Sequence, residues 1–349
     1  MLVQQSFSQP TEAIMEPSRI VLIGSSAGGV DALRRLCAKL PTDFPTPIFI
    51  AQHVSPSARS ILAELLDRVG PLKAVTPKDG DSIEPGKIYV AAPDHHMLLR
   101  RGRILMRRGP HENRTRPAVN PLFRSAAVAY GAKAIGVVLT GLLDDGTEGL
   151  IAIKAAGGTS VVQDPADAEW PSMPKNALLR DHVDHSVPLL DIPDLLGRLV
   201  RQPAGPDLPL PPEYAVEDRI AAQEIAVMDQ DTETPGAPSH ISCPDCGGVL
   251  NQIDVQDEIR FRCQVGHAFT PLGLAAAQSD ELERALSVAT RTHRDRIRLF
   301  DQMRSSARAR GLPHAEARWI SAAEDAGRMI QVLDEALSAL KRPIADGEA

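Results

Sequence analysis

Two sets of residues in this chain have types and spacings that chemistry can use. The first begins with Gly24-Ser25-Ser26-Ala27-Gly28, which has the G-x-S-x-G spacing of a nucleophile elbow and puts Ser26, not Ser25, at its centre. The helix that follows such a turn aims its positive N-terminal end and its free N–H groups at a developing oxyanion. A serine must be deprotonated by a base, and an imidazole base needs a carboxylate to fix its tautomer. His53 directly follows the apolar run PIFIAQ, and the loop Gly141-Leu142-Leu143-Asp144-Asp145-Gly146 directly follows AIGVVLT. A histidine and two adjacent aspartates are therefore candidates. The second set is Cys243-x2-Cys246, sixteen residues, then Cys263-x3-His267. Three thiolates and one imidazole suit a tetrahedral zinc, and four protein ligands leave no open position, so the site reads as structural. Gly247, Gly248 and Gly266 fit the tight turns of two ligand-bearing knuckles.

The glycine turn also invites a phosphate-cradle reading, which fails twice. A dinucleotide fingerprint needs glycine where Ser26 stands and an acid where the next strand ends in His53. A G-x-x-x-x-G-K-[ST] loop does not occur either. The elements that must position the serine, histidine and aspartate are short Ile/Val-rich runs at 19–23, 47–52, 87–92, 134–140 and 159–163. Helical patterns at 30–40, 58–69, 120–131 and 147–156 separate them, with a hairpin excursion near 87–108. Strands alternating with amphipathic helices predict an α/β fold, a doubly wound, mostly parallel sheet with helices on both faces. In such a sheet functional residues collect beyond the carboxyl ends of the strands, where Ser26, His53 and the 141–146 loop all lie. Their chain order differs from the Ser, Asp, His order of α/β-hydrolases, which points to another fold.

Composition bounds the remaining classes. The chain has 349 residues, 43% hydrophobic and 24% charged, with a net charge of −7, which argues against a nucleic-acid partner. The first eighteen residues lack the basic and apolar regions of a secretory signal, and IGVVLTGLL at 135–143 is too short to span a bilayer. No membrane insertion and a cytoplasmic, reducing location are expected. The domain reading is an N-terminal tail (1–18), a catalytic domain (19–202), an acidic Pro-rich linker (203–240), the Cys3His zinc-ribbon-like module (241–270) and a helical hairpin tail (271–349). The linker holds seven prolines and eight acids against one basic residue, Arg219, with a short helix expected around 214–228. The tail pattern predicts helices over 272–309 and 314–340, broken at Gly311 and Pro313. In the second, Ala315, Trp319, Ala322, Ala326, Met329, Leu333 and Leu337 form one stripe.

Six segments in order resemble the catalytic domain of the chemotaxis protein-glutamate methylesterases, the CheB type. They are IGSSAGG (23–29), QHVSPS (52–57), APDHHMLL (92–99), RPAVNPLFRSAA (116–127), TGLLDDGTEG (140–149) and QDPADAEWPSMPKNAL (163–178). The resemblance implies a triad of Ser26, His53 and Asp145, leaving Asp144 outside it. It places oxyanion donors on the backbone N–H groups of Ala27 and Leu142, where the family often has Thr and Met. It implies hydrolysis of glutamate methyl esters on receptor signalling helices, with deamidation of receptor glutamines as a related activity, and no cofactor for catalysis. The rival class is a regulatory or binding protein that kept the hydrolase fold and signals through its tail.

Two departures from the family pattern carry expectations of their own. Asn120 stands where an acid is frequent, which suggests an altered substrate-facing group. Only about eighteen residues precede the first strand, so control by an attached N-terminal receiver domain, as in the best-known members, is not expected. The stretch 291–310 carries seven arginines against two aspartates, a candidate docking face for an acidic protein partner or for the acidic linker.

Overall fold

The structure is a computed structural model that describes residues 17–180, 182–225, 236–255 and 258–340. Nearly all of the expected N-terminal tail, and residues 226–228 of the expected linker helix, lie outside the described residues. The chain divides into two units, Met1–Gly273 and Leu274–Ala349.

The first unit is built on unbroken apolar runs. β1 (Ile20–Ser25) leads through a glycine turn into α1 (Gly29–Ala38), then β2 (Ile48–Gln52) and α2 (Leu62–Val69). Next come β3 (Lys73–Val75), β4 (Lys87–Val90) and a hairpin of β5 (His96–Arg100) and β6 (Arg103–Arg107). α3 (Val119–Tyr130), β7 (Ala134–Val138), α4 (Thr147–Ala155), β8 (Thr159–Gln163), α5 (Ser172–Arg180), β9 (His185–Val187) and α6 (Ile192–Leu199) complete the α/β part. Seven parallel strands pair in the order β3-β4-β2-β1-β7-β8-β9. Every residue of β1, β2 and β7 is buried, as expected for parallel strands covered on both faces. Along β1 the side chains alternate. Ile20 and Leu22 pack with α3, α4, α5 and the hairpin, whereas Val21 and Ile23 pack with α1, α2 and α6. The chain runs outward one way from β1 through β2 and the other way from β7 through β8. The β1/β7 boundary is thus the topological switch point, where the strand-end loops leave a crevice.

The segment read as an acidic linker contains α7 (Pro212–Ala221), and that helix is built into the first unit. Tyr214, Ile220 and Ala221 are buried, and so are the acids Glu217 and Asp218. A small antiparallel sheet follows, with β10 (Ala237–Ser242), β11 (Val249–Val255), β12 (Glu258–Cys263) and β13 (Ala268–Phe269) in that order. Between this sheet and the α/β part lies a buried ionic seam. Arg124 of α3 bonds Glu112 at 2.5 Å and Glu148 at 3.3 Å. Arg262 of β12 bonds Glu112 at 3.1 Å and Glu217 at 3.0 Å. Arg260 bonds both Glu148 and Glu217 and lies over the Tyr214 ring, 5.0 Å from its centroid. Asp218 and Glu224 in turn hold Arg100 at 2.9 and 3.0 Å. Glu217 and Asp218 of α7, and Glu224 just beyond it, are thus paired with arginines of their own unit.

In the second unit the helices α8 (Pro271–Ala309) and α9 (Pro313–Leu340) turn at Gly311, whose φ of +66° suits glycine. Phe300 stacks on Trp319 at 5.7 Å and Ala326 is buried, while Met329 of the expected stripe is 46% exposed.

Candidate active site

The turn after β1 is shaped by close approach. Gly28 has φ +71°, and a Cβ there would lie 2.9 Å from a Glu169 carboxylate oxygen and 3.0 Å from the Trp170 ring. Ser25, the last strand residue, is wholly buried and donates its hydroxyl to Gln52 Oε1 at 2.7 Å. Its neighbour is presented instead: Ser26 Oγ lies 3.1 Å from His53 Nδ1. The Gln52 amide locks the two strand ends together by donating to Ser26 O at 2.8 Å and His53 O at 2.9 Å. His53 Nε2 lies 2.6 Å from Asp145 Oδ2. A carboxylate only accepts, so Nε2 carries the proton and Nδ1 is left to accept from the serine hydroxyl. The two ring nitrogens thereby exchange the parts they play in the chymotrypsin-type triad. The aspartate is nearly inaccessible and the imidazole is partly open to solvent.

Asp145 is held by the N-terminus of α3. Its Oδ2 also accepts from Val119 N–H at 2.7 Å, and its Oδ1 accepts from the N–H groups of Asn120 at 3.2 Å and Gly146 at 3.1 Å. Helix N-terminal N–H groups and the helix dipole favour a carboxylate. Asn120 does not face a substrate: it is buried, and its Oδ1 accepts from Gly146 and Gly149 N–H, both at 2.9 Å. An acceptor at the start of α4 needs no charge, which explains an amide at this position. Asp144 is buried outside the triad, with Thr270 Oγ1 donating to its Oδ1 at 2.7 Å and Arg180 at 3.3 Å from its Oδ2. Burial pushes its carboxyl up to about 6. Among the described residues, no acceptor takes the N–H of Ala27 or Leu142. Both flank the serine side of the crevice: Ser26 N–H donates to Thr140 O at 3.0 Å, and a Cβ on Gly141 would lie 2.9 Å from Ser26 Cβ.

Gln52, Asn113, Thr115 and Thr140 also order this edge, and the sequence reading assigned them no part. Thr140 follows β7, and its hydroxyl joins the turn to the next loop by donating to Ala27 O at 3.1 Å and accepting from Trp170 N–H at 2.8 Å. Thr115 Oγ1 lies 3.5 Å from His53 Nε2. For Gln52 and Thr140 the available signal was a polar residue ending an otherwise apolar run; Asn113 and Thr115 had none.

Cys243, Cys246, Cys263 and His267 converge, their ligand atoms all within 4.8 Å of one another. Cys243 Sγ and Cys263 Sγ lie 3.7 and 3.6 Å from His267 Nδ1, and Cys246 Sγ lies 3.6 Å from Cys263 Sγ. Bond lengths of a tetrahedral zinc site imply ligand-to-ligand spacings of about 3.5–3.8 Å, so the donor set fits such an ion. Two turns form the knuckles, closed by Gly247 N–H to Cys243 O at 2.8 Å and Gly266 N–H to Cys263 O at 2.9 Å. Both glycines have positive φ.

Residues 21–196 match the CheB methylesterase family. A protein of Leptospira interrogans, provisionally named protein-glutamate methylesterase/protein-glutamine glutaminase, is 37% identical over 180 residues, which span 51% of this chain and 93% of that protein. The Thermotoga maritima protein-glutamate methylesterase/protein-glutamine glutaminase is 36% identical over 186 residues, 52% of this chain and 54% of that one. The crystal structure of the Thermotoga maritima CheB methylesterase catalytic domain superposes with a TM-score of 0.50 at 34% identity, covering 52% of this chain and 98% of that domain. The matched stretch carries the seven-stranded parallel sheet and all three strand-end loops around Ser26, and with it the chain belongs to the CheB methylesterase family.

Proposed function

We propose that this chain is a serine hydrolase that removes methyl esters from glutamate side chains of chemoreceptor-type proteins and deamidates glutamines on the same class of substrate. Ser26, His53 and Asp145 form its triad. The observation that carries the reading is the continuous relay of 3.1 and 2.6 Å contacts from Ser26 Oγ through the His53 ring to Asp145, at the switch point of the sheet. Ser26 Oγ attacks the ester carbonyl while His53 Nδ1 takes its proton, and Asp145 stabilises the imidazolium through Nε2–H. The N–H groups of Ala27 and Leu142 receive the oxyanion. Collapse breaks the bond to methoxide, which leaves as methanol with the proton from Nδ1. Water then attacks the acyl-serine, giving a proton to Nδ1; Nδ1 returns it to Ser26 Oγ as the acyl bond breaks, and the glutamic acid released loses its remaining proton to solvent. An amide follows the same path with ammonia as the leaving group.

Cys243, Cys246, Cys263 and His267 would hold zinc, which supplies a cross-link between the two knuckles and takes no part in hydrolysis. The substrate reading places the protein in the cytoplasm against methylated signalling helices. The arginine-rich stretch of α8 is a docking face for an acidic partner. Among the described residues no helix is long and apolar enough to cross a membrane.

The test is methanol release from methylated receptor fragments by the full chain. Ser26→Ala is expected to lower kcat by on the order of a millionfold. Undiminished release by that variant, or none by the parent chain, overturns the reading. Metal analysis of the same preparation is expected to find zinc in the parent and not in a Cys243→Ser/Cys263→Ser variant.

A further inference from the structure

The loop that carries Asp145 is fastened to the Cys/His module. β13 runs beside the 111–113 stretch: Ala268 N–H donates to His111 O at 3.1 Å, and Asn113 N–H donates to Ala268 O at 2.8 Å. The Asn113 side chain accepts from Thr270 N–H at 3.0 Å and turns its amide nitrogen toward Asp145 Oδ1, 3.5 Å away. Asn113 and Arg114 both have positive φ, +49° and +60°, a conformation that ordinary residues hold only when their surroundings impose it. Thr270 itself is buried, and its hydroxyl makes a shorter and firmer link. It accepts from Gly273 N–H at 3.0 Å, capping α8, and donates to Asp144 Oδ1 at 2.7 Å. Arg180 closes a second path, bonding Asp144 at 3.3 Å and Glu258 of β12 at 3.0 Å.

We propose that Thr270, acting through Asp144 with Asn113 beside it, is a positioning residue for Asp145, so that the Cys/His module belongs to the working esterase site. The proposal rests on the triad reading above. Asp144 precedes Asp145 directly, and through its carboxylate the 141–146 loop, which α3 and α5 also hold, is tied to the Cys/His module. A hydrogen-bonded carboxylate at that point fixes the loop against rotation. Asp145 then meets His53 Nε2 at the distance that Ser26 needs for activation. Displacement of an orienting group by about 1 Å costs on the order of a hundredfold in rate, so a partly relaxed loop is expected to cost about tenfold.

The test follows acylation of Ser26 by a fluorophosphonate probe, together with kcat and KM for ester hydrolysis, in the full chain. Thr270→Val removes both bonds at the same side-chain shape, while Thr270→Ser keeps both. Thr270→Val is expected to slow labelling and lower kcat about tenfold with KM changed less than about twofold, and Thr270→Ser to restore both. Labelling and turnover of Thr270→Val at the parental rate, or a rise in KM alone, overturns the proposal. If Thr270→Val does not fold, Asn113→Gly decides, because glycine accepts the left-handed backbone and removes only the amide. Slower labelling in that variant sustains the proposal and a parental rate overturns it. A parent chain that does not label at all refutes the triad reading, and the proposal with it.

Discussion

The first unit has two interiors that are held together in opposite ways. Beneath the parallel sheet, Ile20, Leu22, Phe49 and Val138 on one face and Val21, Ile23, Ile50 and Val137 on the other are buried against helices with no polar group among them. Between the sheet and the Cys/His module, three arginines and three glutamates are buried instead. Apolar packing is non-directional and tolerates small changes of shape. An ionic seam demands geometry, because each charge removed from water must be met by partners at hydrogen-bond distance. The seam satisfies its carboxylates more fully than its guanidiniums: among the described residues, Arg124 Nε and Arg260 Nε and Nη2 have no acceptor. The sheet gives the site a rigid edge, and the seam gives the module one orientation on it.

Breaking the seam at its centre should produce the largest effect. Glu217 meets both Arg260 and Arg262, so Glu217→Ala leaves two buried guanidiniums with one carboxylate each. A loss of about 3 kcal/mol is expected, read from the urea midpoint of the full chain. Acid sharpens the comparison, since only the seam titrates. Burial alone would raise the Glu112 carboxyl, but Arg124 and Arg262 override it and hold it down at about 2. Its folded value is depressed, so its stabilisation is complete above the ordinary Glu value of about 4.3 and fades as pH falls toward 2. Glu148, raised by burial, and Asp144, raised by burial to about 6, work in the opposite sense. Midpoints measured from pH 5 to pH 2 in the parent and in Glu112→Gln should converge as the pH drops; parallel curves would assign the acid response elsewhere. The smallest effect belongs to the sheet: Ile23→Val should cost about 1 kcal/mol at any pH.

The same contrast decides what could be read from the chain. Strands β1, β2, β4, β7 and β8 announce themselves as apolar runs, and three of them lead into the turns and loops that carry the proposed triad. The stripe of α9 shows at a three- and four-residue period. β3 and β9 are three residues each and too short to show a pattern, as edge strands often are. The hairpin was expected from 87, where β4 of the parallel sheet lies; its strands begin at His96. A short helix was expected near α7, but its burial was hidden by its charge, because a segment rich in acid and proline reads as solvated unless its partners are known. Those partners, Arg260 and Arg262, lie more than forty residues away, and no local period connects them. Asn120 was misread for a related reason. Its neighbours in space, Gly146 and Gly149, belong to a different helix turn, so its capping bonds leave no trace near position 120.

The seam also bears on ancestry. Glu112, Arg124 and Glu148 belong to the stretch shared with other family members, whereas Glu217, Arg260 and Arg262 lie beyond it. A module joined late to a finished hydrolase would have met a surface fit for water, with charges matched to solvent. The interlocking pairs seen here instead bury charge from both sides at once. Among chains that carry both parts, a neutral residue at 112, 148 or 217 should be accompanied by loss of a charge at 124, 260 or 262. Chains with the hydrolase alone should show no such correlation. The buried charges would then serve as a record of when two once separate pieces became a single heritable unit.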